Sequence, residues 1–227
     1  MNLASRDRIE PRRCVWASLR LKGLMGLVGL ASLVGCGSLL PKPPAPPALF
    51  LLEDAATTTA DLSSRLAVGT VASTLVVAET RAAPGYGTRQ IAYVRTANQL
   101  EYFAFSQWAE PPALMLAPLL AQAIERTGAY RAVVRAPLPV AGDVRLETEL
   151  IRLQQDFGVT PSRVRLTLRA VLVDIATRRV LTTREFDAAV PSPSEDPAGG
   201  VMAAKQAAQR VAAEVGAFCA GWVASRK

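Results

Sequence analysis

Val144-Arg145-Leu146-Glu147-Thr148-Glu149-Leu150 places an apolar side chain at nearly every second position and a polar or charged one between. Period-two alternation of this kind marks a strand with one face buried and the other in water. The stretch predicts a strand from Val144 to Asp156, and two more follow it. From Arg163 to Ile175, one phase carries Val164, Leu166 and Leu168, and the other carries Arg163, Arg165 and Arg169. From Val180 to Val190, Val180, Phe186 and Ala188 oppose Glu185 and Asp187. An antiparallel meander would set the arginine strand between two more acidic ones, each cross-strand pair contributing about 0.2–1 kcal/mol. The connecting loops should then be odd in length, because a one-residue slip sends every side chain to the opposite face. The arginine row would also suit a lipid-phosphate or nucleic-acid surface. The neighbouring acids favour the plainer reading, paired charges on a solvated sheet face.

Downstream, Val201, Ala204, Ala208, Val211, Val215, Phe218 and Trp222 recur at alternating spacings of three and four, which predicts a long amphipathic helix. Pro197 starts the segment and Arg226-Lys227 would complement its negative end. Cys219 borders the apolar face and reads as a small core residue rather than a reactive thiol.

Upstream, Ala48 to Leu52 is a short apolar run suited to an edge strand, and residues 54–72 show no strong period and read as loop or short helix. Thr74 to Ala78 is apolar in both phases, as a central strand would be. Gly85-Tyr86-Gly87 is a loop; Ile91 to Arg95 and Leu100 to Phe105 then form a hairpin across residues 96–99. Pro111-Pro112 opens a helix reaching about Thr127, with Glu110 at its positive end and Gly128 as its stop. Pro118 should kink or shorten that helix. Trp108 is expected to pack under the helix start. The fold class is α/β or α+β, with one mixed or largely antiparallel sheet and two main helices packed on one face.

The N-terminus has a different character. Gly23 to Leu33 is an uncharged apolar run preceded by Arg20 and Lys22 and followed by Leu33-Val34-Gly35-Cys36. A membrane-spanning helix needs about 20 apolar residues, so this run reads instead as the core of a signal peptide. Small and aliphatic residues ahead of the cysteine resemble the lipobox of bacterial lipoproteins. That resemblance implies cleavage before Cys36 and acylation of its thiol and new amine, the palmitate-type chains anchoring the protein to a membrane. Gly37 and Ser38 bring no acidic retention signal, which by the same resemblance points to the periplasmic face of the outer membrane. The resulting division is a signal peptide at 1–35, a lipidated proline-rich tether at 36–48 and a domain at 49–224. Pro41 to Pro47 favours an extended spacer.

Composition narrows the function. Residues 1–35 hold six of the 26 basic and two of the 19 acidic residues, so the chain from Cys36 onward carries +3 rather than +7. The high pI is therefore weak support for nucleic-acid binding, and none is expected. The chain has no histidine, which removes Ser-His-Asp and Cys-His nucleophiles and every histidine metal site. Glu147 and Glu149 could act as paired carboxylates, but they stand among arginines. No nucleophile elbow, metal spacing or phosphate-binding glycine loop accompanies them. No enzyme, metal or cofactor is expected.

Tyr93-Val94-Arg95, the hairpin, Tyr102 and Trp108-Ala109-Glu110-Pro111 leading into a helix form a pattern. With the lipobox, Leu153-Gln154-Gln155-Asp156-Phe157 and the alanine-rich last helix, it resembles the ABC-type transport auxiliary lipoproteins, the PqiC-like family, over about residues 48–224. The resemblance implies an auxiliary component of a system built from an ABC ATPase, a permease and an MCE-domain protein, moving phospholipids or other hydrophobic molecules between membranes. The expected partner is the MCE-domain protein. The candidate contact residues are Tyr93, Tyr102, Trp108, Glu110 and Pro111, and Cys36 is the lipidation site. A structural or assembly lipoprotein of the envelope is the alternative. Six of the 13 aromatic residues fall between Tyr86 and Trp108, a density that suits either a core or a partner groove.

Overall fold

The computed structural model describes residues 45–52, 73–137 and 141–225. The lipobox and Cys36, most of the proline-rich stretch, all of residues 54–72 and Arg226-Lys227 lie outside these residues.

One long strand organises the sheet. β7 (Val144–Asp156) pairs antiparallel with β8 (Arg163–Asp174) along its length, and β8 pairs antiparallel with β9 (Val180–Pro191). On its other side β7 takes three short parallel neighbours in succession. β2 (Thr74–Val77) lies against Val144 to Leu146, β3 (Arg81–Ala82) against Glu149 and Leu150, and β4 (Gln90–Val94) against Gln154 to Asp156. β4 continues into an antiparallel hairpin with β5 (Glu101–Trp108), and β1 (Ala48–Phe50) runs parallel to β5 at the edge. β6 (Ala132–Arg135) runs parallel to β2. The nine strands make one mixed sheet, an α+β arrangement.

The meander forms as its alternation predicts, with one correction. The loops at 157–162 and 174–179 each span an even number of residues between paired positions, not an odd one. Register shifts between Leu150 and Arg152 and between Leu172 and Val173 restore the parity, leaving Ile151 and Leu181 as the extra residues. A β-bulge adds one residue to one strand and so reverses the facing of everything beyond it. In β7 the wet phase passes from Arg145, Glu147 and Glu149 to Arg152, Gln154 and Asp156. In β9 the bulge turns Val180 outward, 64% exposed, whereas alternation alone places it in the apolar phase; Phe186, Ala188 and Val190 are buried.

On the wet face the arginines meet their acids. Arg169 lies 3.1 Å from Glu149 and 3.5 Å from Glu185, Arg165 2.9 Å from Asp187, and Arg163 3.5 Å from Asp156. Arg81 and Arg145 flank Glu147 at 3.6 and 3.8 Å. Such exposed pairs contribute about 0–1 kcal/mol each. Their larger effect is on facing, because no register slip keeps them paired.

α1 (Pro112–Arg126) and α2 (Pro197–Ala224) cover the apolar face and share one core with the strands. Pro112 sits in the first turn of α1, where its missing N–H costs nothing. At the other end Gly128 takes φ +61° and its N–H reaches Glu125 O, a left-handed stop. Pro118 does not shorten the helix. The carbonyl it leaves unbonded is that of Leu114, 46% exposed and so within reach of water. Asp196 caps α2 by accepting from the Gly199 N–H at 2.7 Å, and this hydrogen bond holds its carboxyl below the usual range. Cys219 is fully buried, its thiol pushed up to about 12 by burial, and Tyr130 donates to its carbonyl at 3.0 Å.

The helices touch closely because one contact residue has no side chain. A Cβ on Gly216 would stand 2.9 Å from the carbonyl oxygen of Ala123 in α1, whereas one on Gly221 would meet nothing within 4 Å. Gly216→Val is expected to cost about 1–3 kcal/mol by overpacking. Gly221→Ala should gain up to about 1 kcal/mol from helix propensity. Urea unfolding of the two variants reads both signs. A second prediction concerns Asp187, whose carboxyl is held below the usual range chiefly by the Arg165 guanidinium and also by the Thr167 hydroxyl. A depressed carboxyl stabilises the fold above its unfolded pKa and loses that contribution as pH falls through the folded value. Asp187→Asn should therefore be about 0.5 kcal/mol less stable at pH 7, as befits a half-exposed pair. The gap should close below about pH 4 in a urea series across pH.

Candidate functional site

Of the residues singled out from sequence, Tyr93 and Tyr102 lie toward the turn of the β4–β5 hairpin, while Trp108, Glu110 and Pro111 lie where β1, the end of β5 and the start of α1 meet. Backbone bonds pin this corner. The Trp108 N–H donates to Arg89 O at 2.7 Å, and the Ala109 N–H donates to Phe50 O at 2.7 Å. Arg89 Nε returns a hydrogen bond to Trp108 O at 3.0 Å. β5 is thereby held between β4 and β1 up to its last residue. The chain then turns at Glu110, and Pro111 (φ −50°, ψ 132°) takes the N-cap position of α1. Pro111 is extended because a following proline disfavours helical backbone.

The hairpin aromatics are mostly structural. The Tyr93 ring packs 4.5 Å from that of Phe103 and edge-on to Phe157 at 5.8 Å, with the Arg95 guanidinium 5.0 Å from its centre. Its hydroxyl donates to Glu101 at 2.8 Å, and that bond, more than burial, holds the phenol above its ordinary value. Tyr102 donates to Gly85 O at 3.0 Å, and Tyr86 donates to Gln154, so both tie the 83–87 loop to the sheet. Gly85 is required there: it adopts φ +91°, and a Cβ would stand 2.8 Å from Leu100. Trp108 is 2% exposed and borders Ile91, Leu153, Val164, Gly200 and Ala204. Its neighbours thus include the first turns of α2, where the sequence suggested only the start of α1.

Of the five candidate contact residues, Trp108 and Tyr93 are buried, Tyr102 and Pro111 are partly covered, and Glu110 is exposed. What the corner presents to solvent is a different set. Phe105 is 67% exposed, Leu49 58% and Leu51 52%. The parallel register sets Leu49 opposite Gln107, so alternation places Leu49 and Leu51 on the face of β1 away from Phe50 and the core. β1 pairs only with β5, leaving its far edge open among the described residues. Alternation does not decide the facing of Phe105: its phase holds Glu101 and Phe103, the other holds Leu100, Tyr102 and Ala104, so both carry aromatic or large apolar groups.

Glu147 and Glu149, the one carboxylate pair weighed for catalysis, are each held by arginines on the wet face. Among the described residues no group of three or more His, Cys, Asp or Glu could hold a metal ion. No described helix is long and apolar enough to cross a membrane.

Comparison with known proteins places this fold. A crystal structure of a Xanthomonas campestris protein of family DUF330 matches with a TM-score of 0.63 at 27% identity, over 80% of this chain and 97% of that one. A second crystal structure, of an uncharacterized protein, matches with a TM-score of 0.59 at 13% identity, over 77% of this chain and 99% of that one, and shares the fold alone. No curated protein matches. The model of the family described as the ABC-type transport auxiliary lipoprotein component, a transport family rather than an enzyme family, matches residues 51–216, and this chain belongs to that family.

Proposed function

We propose that this protein is a periplasmic lipoprotein, anchored in the outer membrane by acyl chains on Cys36. It serves an ABC/MCE-type system that moves phospholipids or other hydrophobic molecules between membranes. One conjunction carries the reading: a lipobox-like Leu33-Val34-Gly35-Cys36 stands a short proline-rich stretch upstream of a domain of the transport auxiliary lipoprotein family. In this reading residues 1–35 are removed, 36–48 form the tether, and 49–224 form the working domain. One acyl chain binds a membrane only marginally, at about 0.8 kcal/mol per buried methylene, whereas two or more hold stably. A tethered domain meets partners in the same envelope at high effective concentration, so modest intrinsic affinity suffices.

The partner in this proposal is the MCE-domain protein of the system. Phe105, Leu49 and Leu51 supply exposed apolar area, Glu110 and Pro111 border it, the buried Trp108 anchors the end of β5 behind it, and Tyr93 and Tyr102 brace the rest of the hairpin. Exposed apolar residues beside an open strand edge are the usual substrate for partner pairing.

Cys36→Ser should leave an unacylated, unprocessed precursor on gels and in metabolic labelling with palmitate. Cleavage at the same bond with retained membrane attachment would show the lipoprotein reading to be wrong. Photocrosslinkers at Leu49, Phe105 or Glu110 in living cells should capture an MCE-domain protein. Phe105→Glu should reduce capture from the other two positions without unfolding the domain. Capture of cell-wall enzymes alone, with normal lipid transport in a deletion strain, would overturn the docking role.

A further inference from the structure

A second surface lies at the far end of the helix-covered face. The even positions of β9 that face the helices are buried at Phe186, Ala188 and Val190. Toward the start of the strand Thr182 and Arg184 keep that facing, but only the last turns of α2 lie over them. Strand and helix there enclose an open groove of about 400 Å³, lined by Thr182, Arg184, Ala217, Phe218, Gly221 and Trp222. Phe218 packs edge-on to Phe186 at 5.7 Å, and the Arg184 guanidinium sits 5.3 Å from the centre of the Phe186 ring. Gly221 leaves its side open, with no atom within 4 Å of a built Cβ.

This groove joins an apolar and aromatic wall to one positive charge. On the opposite face Arg81, Arg145, Arg163, Arg165 and Arg169 each stand beside a carboxylate. Arg184 takes part in none of the ion pairs among the described residues, and no acid lines the groove with it. The helix-end carbonyls at the groove are already engaged: Gly221 O accepts from the Ser225 N–H at 3.1 Å and Trp222 O from the Ser225 hydroxyl at 2.8 Å. An arginine on an aromatic and small-residue wall, with its guanidinium edge uncommitted to acid, matches an anion joined to an apolar chain.

We propose that this groove binds an amphiphile, its apolar chain along Ala217, Phe218, Gly221 and Trp222 and its anionic head at Arg184. The shared chemistry is a carboxylate or phosphate on an acyl chain, as in a free fatty acid or a phospholipid. The inference rests on the reading that the protein works at a membrane, and it adds a ligand contact separate from the Phe105 corner.

The test uses the full-length chain in its own membrane, with a diazirine fatty acid and a diazirine phospholipid as separate probes and adducts mapped by mass spectrometry. Adducts should fall on residues 217–225, and the probe that gives them identifies the head group. Arg184→Glu and Gly221→Trp should each lower adduct yield roughly tenfold, equivalent to about 1.4 kcal/mol. Gly221→Trp enters open space, so unchanged circular dichroism is expected of it. Arg184→Lys should retain most of the yield. The same cells report MCE-protein capture from Phe105, so loss of that capture with retained adducts would fault the docking reading and leave the groove standing. No adduct at 217–225 from either probe, equal yield in the variants, or capture of a protein segment by a photoreactive residue at Ala217 would each overturn the proposal.

Discussion

The whole structure depends on β7 keeping its apolar side chains on one face from Val144 to Asp156 while pairing on both edges. A strand this long cannot serve a long antiparallel partner on one side and three short parallel strands on the other with a uniform pleat and a native twist. Ile151 relieves the conflict. The bulge absorbs one residue, lets the strand bend, and hands the wet phase from odd to even positions, so that Leu150 and Leu153 are both buried. The same device at Leu181 lets the second even loop coexist with the Arg169–Glu185 pair. The ion pairs add little energy individually, but they and the bulges specify the same register, and agreement among weak local choices makes a single fold the favoured one.

Over that face the helices are built for closeness. α2 buries Ala203, Ala204, Ala207, Ala208 and Ala212, so its backbone lies near the sheet, and Gly216 lets α1 approach to backbone contact. Gly200 does the same against Gln155, whose Oε1 fills the space a Cβ would need there. Gln155 is buried at 2% and bonds through Nε2 to Ser162 at 3.0 Å, a polar tie between the end of β7 and the loop after it. Small residues thus trade side-chain area for backbone proximity, and the larger apolar groups, Leu146, Leu150, Leu166, Leu168 and Leu172, come from the strands.

This division leaves two kinds of surface for function. Five arginines of the wet sheet face stand beside carboxylates, which lowers the free positive charge it offers a polyanion. Two places combine exposed apolar groups with an open edge or groove: the β1–β5 corner, with Phe105, Leu49 and Leu51, and the groove where α2 outruns the core above Arg184. A tethered domain of a transport auxiliary family needs surfaces of this sort more than it needs a reactive cleft.

From the sequence alone the meander, the hairpin, both helices and their proline starts and glycine stop were legible, because each is written in near-neighbour periodicity and backbone chemistry. Cys219 as a core residue was legible for the same reason. The β1-β5-β4-β7-β2-β6 strand order, the two bulges and the outward turn of Val180 were not, since they depend on pairing between segments far apart in the chain. The candidate site was half legible. Sequence marked the 86–108 region through its aromatic density. It could not say that Tyr93 and Trp108 face inward while Phe105 faces water, because an aromatic residue suits both environments equally well. Tertiary packing made that choice: α2 laid its first turns over Trp108, and no element covers Phe105 among the described residues.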